Sequence, residues 1–410
     1  MICGLLGRKL GHSYSPQIHA QLADYSYCLF EKEPNEVETF LKSNEYSGLN
    51  VTIPYKKTVM PYCDQLTPIA QRLGAVNTIV KKKDGTLVGH NSDYYGFRSM
   101  VERSKLSVKG KKALVLGSGG ASATAMAVIE DLGGWPIVIS RSGENNYNNL
   151  HLHYDAAVIV NATPVGMYPN TTDSPIDIEQ VPQLEGVFDL IYNPAHTALL
   201  QQAERKGTVA INGLWMLVAQ AKESAEMFID QRINDAVISS IYNTLRFQME
   251  NIVLIGMPGS GKSTVGKELA LKLGRKFVDI DEEIVSRAGC PIPEIFATKG
   301  ESVFRDLETA ALMDTCKESG LVIATGGGCI TIERNYPPLH QNGTMVWIKR
   351  ELSKLPTAGR PLSQQNKIEE LYRIRKPLYQ AFADISVQST ETPALTADLI
   401  INKIKESHNK

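Results

Sequence analysis

Short runs of apolar, β-branched residues alternate along this chain with stretches whose apolar positions recur every three or four residues. The first pattern suits strands covered on both faces, and the second suits helices laid against them. The expectation is an α/β protein built on parallel sheets. Two of the strand-to-helix junctions are rich in glycine: KKALVLGSGGASATAMAVIEDL, residues 111–132, and ENIVLIGMPGSGKSTVGKELALKL, residues 250–273. In the second, Val265, Leu269 and Leu273 stand four apart and mark one helix face. Further strands are expected at Trp135–Ser140, Ala156–Asn161, Val187–Ile191 and Thr208–Ile211, with helices over Leu214–Asp230 and Arg232–Leu245. The next strand starts near Asn251, which leaves almost no linker at about 246–250. Upstream of residue 105 another alternating unit places strands near Ile2–Leu6, Tyr27–Glu31 and Gly48–Thr52. Two phosphate-cradling turns far apart predict two nucleotide sites on two α/β units.

Length and composition narrow the class. A chain of 410 residues is too long for one ordinary domain. With 43% hydrophobic and 21% charged residues it has the makings of packed cores, which argues against wholesale disorder. The formal net charge of -1 gives no bias toward nucleic acid or an anionic membrane. No apolar run approaches bilayer-spanning length, and the opening MICGLLGRKLGHS does not read as a secretory leader. The six cysteines, at 3, 28, 63, 290, 316 and 329, form no CxxC pair. They read as reduced thiols of a cytoplasmic protein and not as a zinc site or disulfide framework.

The second junction carries specific chemistry. GMPGSGKS, Gly256 to Ser263, fills every fixed position of the phosphate-binding loop G-x-x-x-x-G-K-[ST]. Gly259 and Gly261 let backbone N–H groups converge on phosphate oxygens, and the following helix N-terminus adds a favourable dipole. Lys262 reaches toward the β- and γ-phosphates of ATP, Ser263 offers a hydroxyl to Mg²⁺, and Ser260 and Thr264 complete the loop. Further motifs follow in order: FVDID with Asp279 and Asp281, GESVFRDLE with Arg305 and Glu308, VIATGGG ending in Gly326, Gly327 and Gly328, AGRPLS with Arg360, and RKPLY with Arg375. Over residues 250–388 this series resembles shikimate kinase. The resemblance implies that Arg305 and Arg375 hold the substrate carboxylate, for which a guanidinium fork is suited. It implies that Asp281 orients or deprotonates the attacking hydroxyl and that Asp279 sits in the Mg²⁺ shell. The Gly326–Gly328 turn would approach the ring, and Arg360 would close over the ATP phosphates. Glu308 is expected to orient an arginine. One departure is the lid, RELSKLPTAGRPLSQQN, which is short and lacks an arginine that many relatives carry ahead of RPL.

The first junction is a partial G-x-G-x-x-G, with Gly117, Gly119, Gly120 and Ala121 ahead of Ser122. By itself it reads equally as a tight turn without cofactor. The next strand ends in Ser140, Arg141 and Ser142 where an NAD site would carry an acid. An arginine between hydroxyls suits the 2′-phosphate of NADP, and an exposed loop arginine is the alternative. The motifs around it resemble shikimate dehydrogenase over residues 1–247: GHSYSPQIH with Ser13 and Ser15, GLNVTIPYK with Asn50, Thr52 and Lys56, GAVNT with Asn77, and GHNSDYYG with Asn91 and Asp93. NATPVGM, DLIYNPAHTALL and NGLWMLVAQA add Asn161, Thr163, Tyr192, Gly213, Met216 and Gln220. The resemblance implies Lys56 as the principal proton-handling group and Asp93 as its partner. It implies Ser13, Ser15, Thr52, Asn77, Asn91, Tyr192 and Gln220 around the substrate, and Thr163, Gly213 and Met216 on the cofactor side. The family's G-x-P-I opening reads Gly7, Arg8, Lys9, Leu10 here, and the stretch from Ser142 to Asn161 is too short for the helix and strand that relatives place there.

Together these readings imply a two-lobed dehydrogenase followed by a P-loop kinase with a parallel sheet. Residues 1–104 plus 221–247 would form the substrate lobe, 105–220 a Rossmann-like NADP lobe and 250–406 the kinase. The activities implied are NADPH-dependent reduction of 3-dehydroshikimate to shikimate, then phosphorylation of shikimate by ATP and Mg²⁺. Small-molecule substrates, a homo-oligomer and neither nucleic acid nor membrane complete the expectation. The alternatives are a quinate/shikimate dehydrogenase preferring NAD, a live kinase beside a weakened dehydrogenase, and a non-catalytic sensor of these metabolites.

Overall fold

The structure is a computed structural model that describes residues 1–11, 13–355 and 368–408. The chain divides into two compact units. The first comprises Met1–Val165, Ser174–Tyr192 and Leu199–Thr244, and the second comprises Gly166–Asp173, Asn193–Ala198 and Leu245–Lys410.

The first unit holds two sheets. The N-terminal sheet contains β1 (Ile2–Gly7), β2 (Ser26–Glu31), β3 (Gly48–Val51), β4 (Gln65–Leu66), β5 (Thr78–Lys81) and β6 (Leu87–His90), in the order β2-β1-β3-β5-β6-β4. The sequence reading anticipated β1 to β3 but not β4 to β6, which are short and half-buried. β5 runs antiparallel to both β3 and β6. The β5–β6 hairpin closes at Gly85, whose φ of 91° lies in the left-handed region that glycine adopts without strain. Short helices α1 (Ser15–His19), α2 (Val37–Lys42) and α3 (Pro68–Leu73) connect these strands, and α4 (Asp93–Arg103) leads away from β6. Leu6, Phe40, Leu49, Val51, Tyr55 and Ile79 pack the core of this sheet.

The second sheet is wholly parallel. It contains β7 (Lys112–Leu116), β8 (Trp135–Ile139), β9 (Val158–Asn161), β10 (Gly186–Asp189) and β11 (Val209–Ile211), in the order β11-β10-β9-β7-β8. Helix α5 (Gly120–Asp131) follows β7, and α6 (Ala198–Lys206) precedes β11. Between β8 and β9 the chain forms only a short 3₁₀ turn, Leu150–His153. That leaves β8 as the sheet edge, where Pro136 is tolerated because one side of an edge strand needs no donor. Ser140 lies just beyond β8, in an isolated bridge with Asn146.

After β11 the chain enters α7 (Leu214–Ile229) and α8 (Ala236–Met249). α7 packs along α4, and the two approach closely because position 96 is glycine. A Cβ there would stand 2.8 Å from the Met216 carbonyl oxygen and 2.9 Å from Gln220 Cβ. The Trp215 indole donates to Ser99 Oγ at 2.9 Å across the same contact. α8 runs to Met249, so a helix occupies most of the stretch read as a linker and only Glu250 separates it from the next strand.

The second unit carries a parallel sheet of β12 (Asn251–Ile255), β13 (Phe277–Asp279), β14 (Val322–Ala324), β15 (Gly343–Lys349) and β16 (Ile385–Gln388), in the order β13-β14-β12-β15-β16. Central β12 is buried along its whole length. Its side chains alternate between two cores. Val253 and Ile255 join Ile323, Met345 and Trp347 on one face, while Ile252 and Leu254 join Val265, Leu269 and Ile400 on the other. Val265 and Leu269 belong to α9 (Lys262–Leu273), which ends in a left-handed cap at Gly274. α10 (Ile280–Ala288), α11 (Ile292–Thr315, broken at Gly300), α12 (Tyr336–His340) and the helices Ile368–Phe382 and Pro393–His408 complete the unit.

The Gly96 contact sets a test. Gly96→Ala forces α4 and α7 apart and is expected to cost about 1–3 kcal/mol. Urea denaturation should show the loss, and an unchanged midpoint would refute the close crossing.

Candidate active sites

In the first unit, β3 and the turn after it present Thr52 and Lys56, while β6 delivers Asp93 to the start of α4. Lys56 Nζ donates to Asp93 Oδ2 at 2.5 Å. The two side chains are 31% and 15% exposed, so the pair is shielded yet reachable. Asn91 was expected to face substrate, but it is buried and held by the protein. Its Nδ2 donates to the Ala75 carbonyl at 2.9 Å, and its Oδ1 accepts from the Asp93 N–H at 3.1 Å. Its part is to fix the backbone of Asp93. Asn77 Oδ1 accepts from the Ser92 N–H at 2.7 Å and from Thr78 Oγ1 at 3.0 Å. No described residue accepts from its Nδ2.

Gln220, on α7, accepts from Ser92 Oγ at 3.3 Å. One turn further on, Ser224 lies within 2.8 Å of Asn50 Nδ2 and of Thr78 Oγ1, and within 2.9 Å of Ser92 Oγ. This buried hydroxyl cluster ties α7 to β3, β5 and the residue before Asp93. Sequence reasoning missed it, because residues 50, 78, 92 and 224 share no local pattern. Asn50 also accepts from Tyr27 at 2.8 Å. His19 stacks on the Tyr27 ring at 4.0 Å and meets the Tyr25 hydroxyl at 2.6 Å. Ser15 N–H donates to Ser13 Oγ at 3.2 Å, and Tyr192 packs edge-on to Tyr14 with centroids 6.2 Å apart.

The glycine turn after β7 divides by cause. Gly117 has φ 109°, which the turn itself requires. Gly119 and Gly120 are exposed, and a Cβ at either would meet no protein atom. Their space lies open before the N-terminus of α5, as a nucleotide pyrophosphate needs. Ala121 is exposed beside them, and Arg141 and Ser142 are exposed past the end of β8, whereas Ser140 is buried. Thr163 donates to Asn161 Oδ1 at 2.7 Å. Gly213 has a packing reason, since a Cβ there would stand 2.2 Å from the Leu190 carbonyl oxygen. Met216 is partly buried one turn before Gln220 on α7.

In the second unit a cavity of about 740 Å³ opens at the C-terminal ends of β12, β13 and β14. Gly259, Gly261, Lys262, Ser263 and Thr264 line one side, and Asp279, Asp281, Arg305, Gly326–Gly328 and Arg375 line the other. Gly256 and Gly261 have φ 149° and 95°, values that favour glycine. Lys262 Nζ donates to the carbonyls of Gly256 and Met257 at 3.0 and 3.1 Å. Ser260 Oγ is buried and has no hydrogen-bond partner among the described residues. Ser263 donates to Asp279 Oδ2 at 2.6 Å, while Asp279 Oδ1 caps α10 by accepting from the Asp281 N–H at 3.0 Å. These hard oxygens suit Mg²⁺, with phosphate oxygens completing its shell.

Asp281 is held above the usual carboxylate range by burial first and by the charge of Asp279 second, with Lys262 and Arg305 pulling the other way. Arg305 donates to Glu308 at 2.8 Å and to Glu301 at 3.0 Å. Arg375 and Tyr379 both donate to the Gly327 carbonyl, at 3.0 and 2.6 Å. The triple glycine is needed for contact. A Cβ at 326 would stand 2.8 Å from Glu308 Oε1, at 327 2.7 Å from Pro258 Cδ, and at 328 2.6 Å from Arg305 Nη2. Glu308, Tyr379 and Arg350 also reach this site, although sequence reasoning left them outside it. Arg360 lies outside the described residues.

Fold and sites define the class: a two-lobed nucleotide-dependent dehydrogenase followed in the chain by a P-loop phosphotransferase. The chain belongs to the shikimate dehydrogenase family. It is 36% identical over 266 residues to shikimate dehydrogenase (NADP(+)) of Clostridium perfringens, covering 59% of this chain and 97% of that protein. The family model of the shikimate dehydrogenase substrate binding domain matches residues 5–79, and that of shikimate kinase matches residues 258–406. Among solved structures, shikimate dehydrogenase 1 from Peptoclostridium difficile is 38% identical, with a TM-score of 0.55 over 60% of this chain and 97% of that one. A chorismate mutase/shikimate 5-dehydrogenase fusion protein from Clostridium acetobutylicum is 36% identical, with a TM-score of 0.57 over 60% of this chain and 96% of that one. No helix among the described residues is long and apolar enough to cross a membrane.

The aromatic floor under Asn50 gives a pH test. Burial pushes the His19 imidazole down to about 3, with Asn50 offsetting part of the shift. The folded state therefore stays neutral while the unfolded chain takes up a proton below about pH 6.5. The contribution is full above that pH and is lost as pH falls toward 3, by about 1.4 kcal/mol per pH unit. Denaturation followed by dehydrogenase activity should show a steeper loss between pH 7 and pH 5 in the native chain than in His19→Phe. Equal slopes would refute it.

Proposed function

We propose that the first unit reduces 3-dehydroshikimate to shikimate with NADPH and that the second phosphorylates shikimate on its 3-hydroxyl with ATP. The carrying observation is that one chain holds two complete sets of polar groups suited to consecutive reactions: the shielded Lys56–Asp93 pair, and Asp281 with Arg305 and Arg375 beside a phosphate loop.

In the first reaction Lys56 gives its proton to the ketone oxygen as that oxygen gains negative charge. Asp93, which accepts from Lys56 Nζ, aims the ammonium. Asn77 Nδ2 and the hydroxyls of Ser13, Ser15, Thr52 and Tyr192 hold the ring, with Gln220 beside them. NADPH, when bound, supplies the hydride. The Gly117–Ala121 turn would hold its pyrophosphate, and Ser140, Arg141 and Ser142 its 2′-phosphate. Thr163, Gly213 and Met216 would lie along the nicotinamide side.

In the second reaction Arg305 and Arg375 fix the carboxylate. Asp281 accepts the hydroxyl proton, its burial keeping the carboxylate basic enough for the task. Lys262 and the loop N–H groups hold the phosphates, and Ser263 and Asp279 would hold Mg²⁺. ATP with Mg²⁺ supplies the transferable phosphoryl group. Arg360 would shield it from water.

We assign residues 1–104 with 221–247 to the substrate lobe, 105–220 to the NADP lobe and 250–406 to the kinase. The near-zero net charge and unpaired thiols suit a cytoplasmic enzyme of small molecules.

The test mixes the purified chain with 3-dehydroshikimate, NADPH, ATP and Mg²⁺ and measures products by mass spectrometry. Shikimate 3-phosphate is the expected product, and NADH in place of NADPH should slow the first step. Lys56→Ala should lower dehydroshikimate reduction by about 10²–10⁴-fold while sparing phosphorylation of added shikimate. Lys262→Met should do the reverse. Dehydroshikimate left untouched by the native chain would remove the dehydrogenase assignment.

A further inference from the structure

β15 lies beside β12 in parallel register, with Ile255 opposite Trp347. The phosphate loop leaves the end of β12, so residues just past the end of β15 must lie alongside that loop. Arg350 is the first of them. Its Nη1 donates to the Gly259 carbonyl at 3.3 Å and stands 4.0 Å from the place a Cβ on Gly261 would take. It lines the same cavity as Lys262, Ser263 and Asp281.

Arg350 differs from the other arginines of this cavity in how its charge is met. Arg305 is paired with two carboxylates, and Arg375 lies against a glycine carbonyl below the ring site. No carboxylate among the described residues pairs with Arg350. The adjacent acid, Glu351, is taken by Lys354 at 2.9 Å. Among the described residues its charge is therefore met only by the Gly259 carbonyl, at the rim of the phosphate loop. From Glu351 to Gly359 the chain contains no arginine, so Arg350 is the arginine nearest before Arg360.

We propose that Arg350 is a binding residue for the terminal phosphates of the nucleotide. When ATP enters, the guanidinium exchanges its long bond to Gly259 for charge-assisted bonds to phosphate oxygens. It supplies from the end of β15 a positive charge that the short lid does not carry ahead of Arg360. This rests on the kinase reading above.

The test uses the full chain, with the dehydrogenase as an internal control of folding. Arg350→Ala should raise the KM for ATP and the Kd for Mg·ADP by on the order of tenfold. The Kd for AMP, the KM for shikimate and the dehydrogenase rate should stay unchanged. Arg350→Lys should fall between, because a point charge replaces a fork. An unchanged KM for ATP in Arg350→Ala would overturn the proposal and make the side chain a solvated one. Equal losses for AMP and ADP would overturn it too, since Arg350 would then merely brace the loop through Gly259. A native chain that binds ADP tightly but does not phosphorylate shikimate would refute the kinase reading while leaving the phosphate contact testable by the same Kd comparison. A native chain that binds no nucleotide would refute both.

Discussion

A parallel strand buried on both faces releases its chain at only one useful place, its C-terminal edge. There the first turn of the next helix has N–H groups with no partner of their own. The two glycine-rich junctions of this protein are arranged around that constraint. β7 gives way to Gly117, and the open space at Gly119 and Gly120 lies in front of α5. β12 gives way to Gly256, and the loop to α9 brings Lys262 and Ser263 to the same edge as Asp279 and Gly326. Glycine is required at Gly117, Gly256 and Gly261 by the backbone. At Gly119 and Gly120 no described protein atom stands where a Cβ would go.

The two sites handle charge in different ways. The dehydrogenase pair is a direct contact, Lys56 to Asp93, that is only partly exposed. Its accuracy comes from below, where Asn91 holds the Asp93 backbone and Ser224 gathers Asn50, Thr78 and Ser92. The kinase site instead buries one of its acids completely. Glu308 is fully covered and paired to Arg305, and Asp281 stands near both Asp279 and Lys262. A buried carboxylate is costly unless a cation answers it, so Arg305 is committed to Glu308 before any substrate arrives. That commitment fixes the direction of its guanidinium and explains why position 328 must be glycine.

Edges show the same economy. The short stretch after Ser142 leaves β8 uncovered, and the strand meets that exposure with Pro136, which cannot donate to a further strand. Arg141 projects from that edge. At the end of β15 in the second unit, no carboxylate among the described residues pairs with Arg350, which donates to the Gly259 carbonyl instead.

How much was legible depended on whether the cause was local. Phosphate loops, strand-to-helix junctions and the paired motifs lie within a few residues of one another, so the chain alone determined the α/β class, the two glycine-rich junctions and the families that its motifs resemble. The period of four at Val265, Leu269 and Leu273 marked α9 directly. β4 to β6 escaped notice because short strands with one polar face carry little pattern of their own and form only against their neighbours, β5 on β3, β6 on β5 and β4 on β6. What the tertiary structure decided were relations between distant residues: the Gly96 crossing, the hydroxyl cluster at Ser224, the turning inward of Asn91, and Arg350 reaching Gly259 from 91 positions away. Sequence records which groups are available. Burial and close approach determine which of them are spent on the protein and which remain for a ligand, and those are properties of packing that no local spacing encodes.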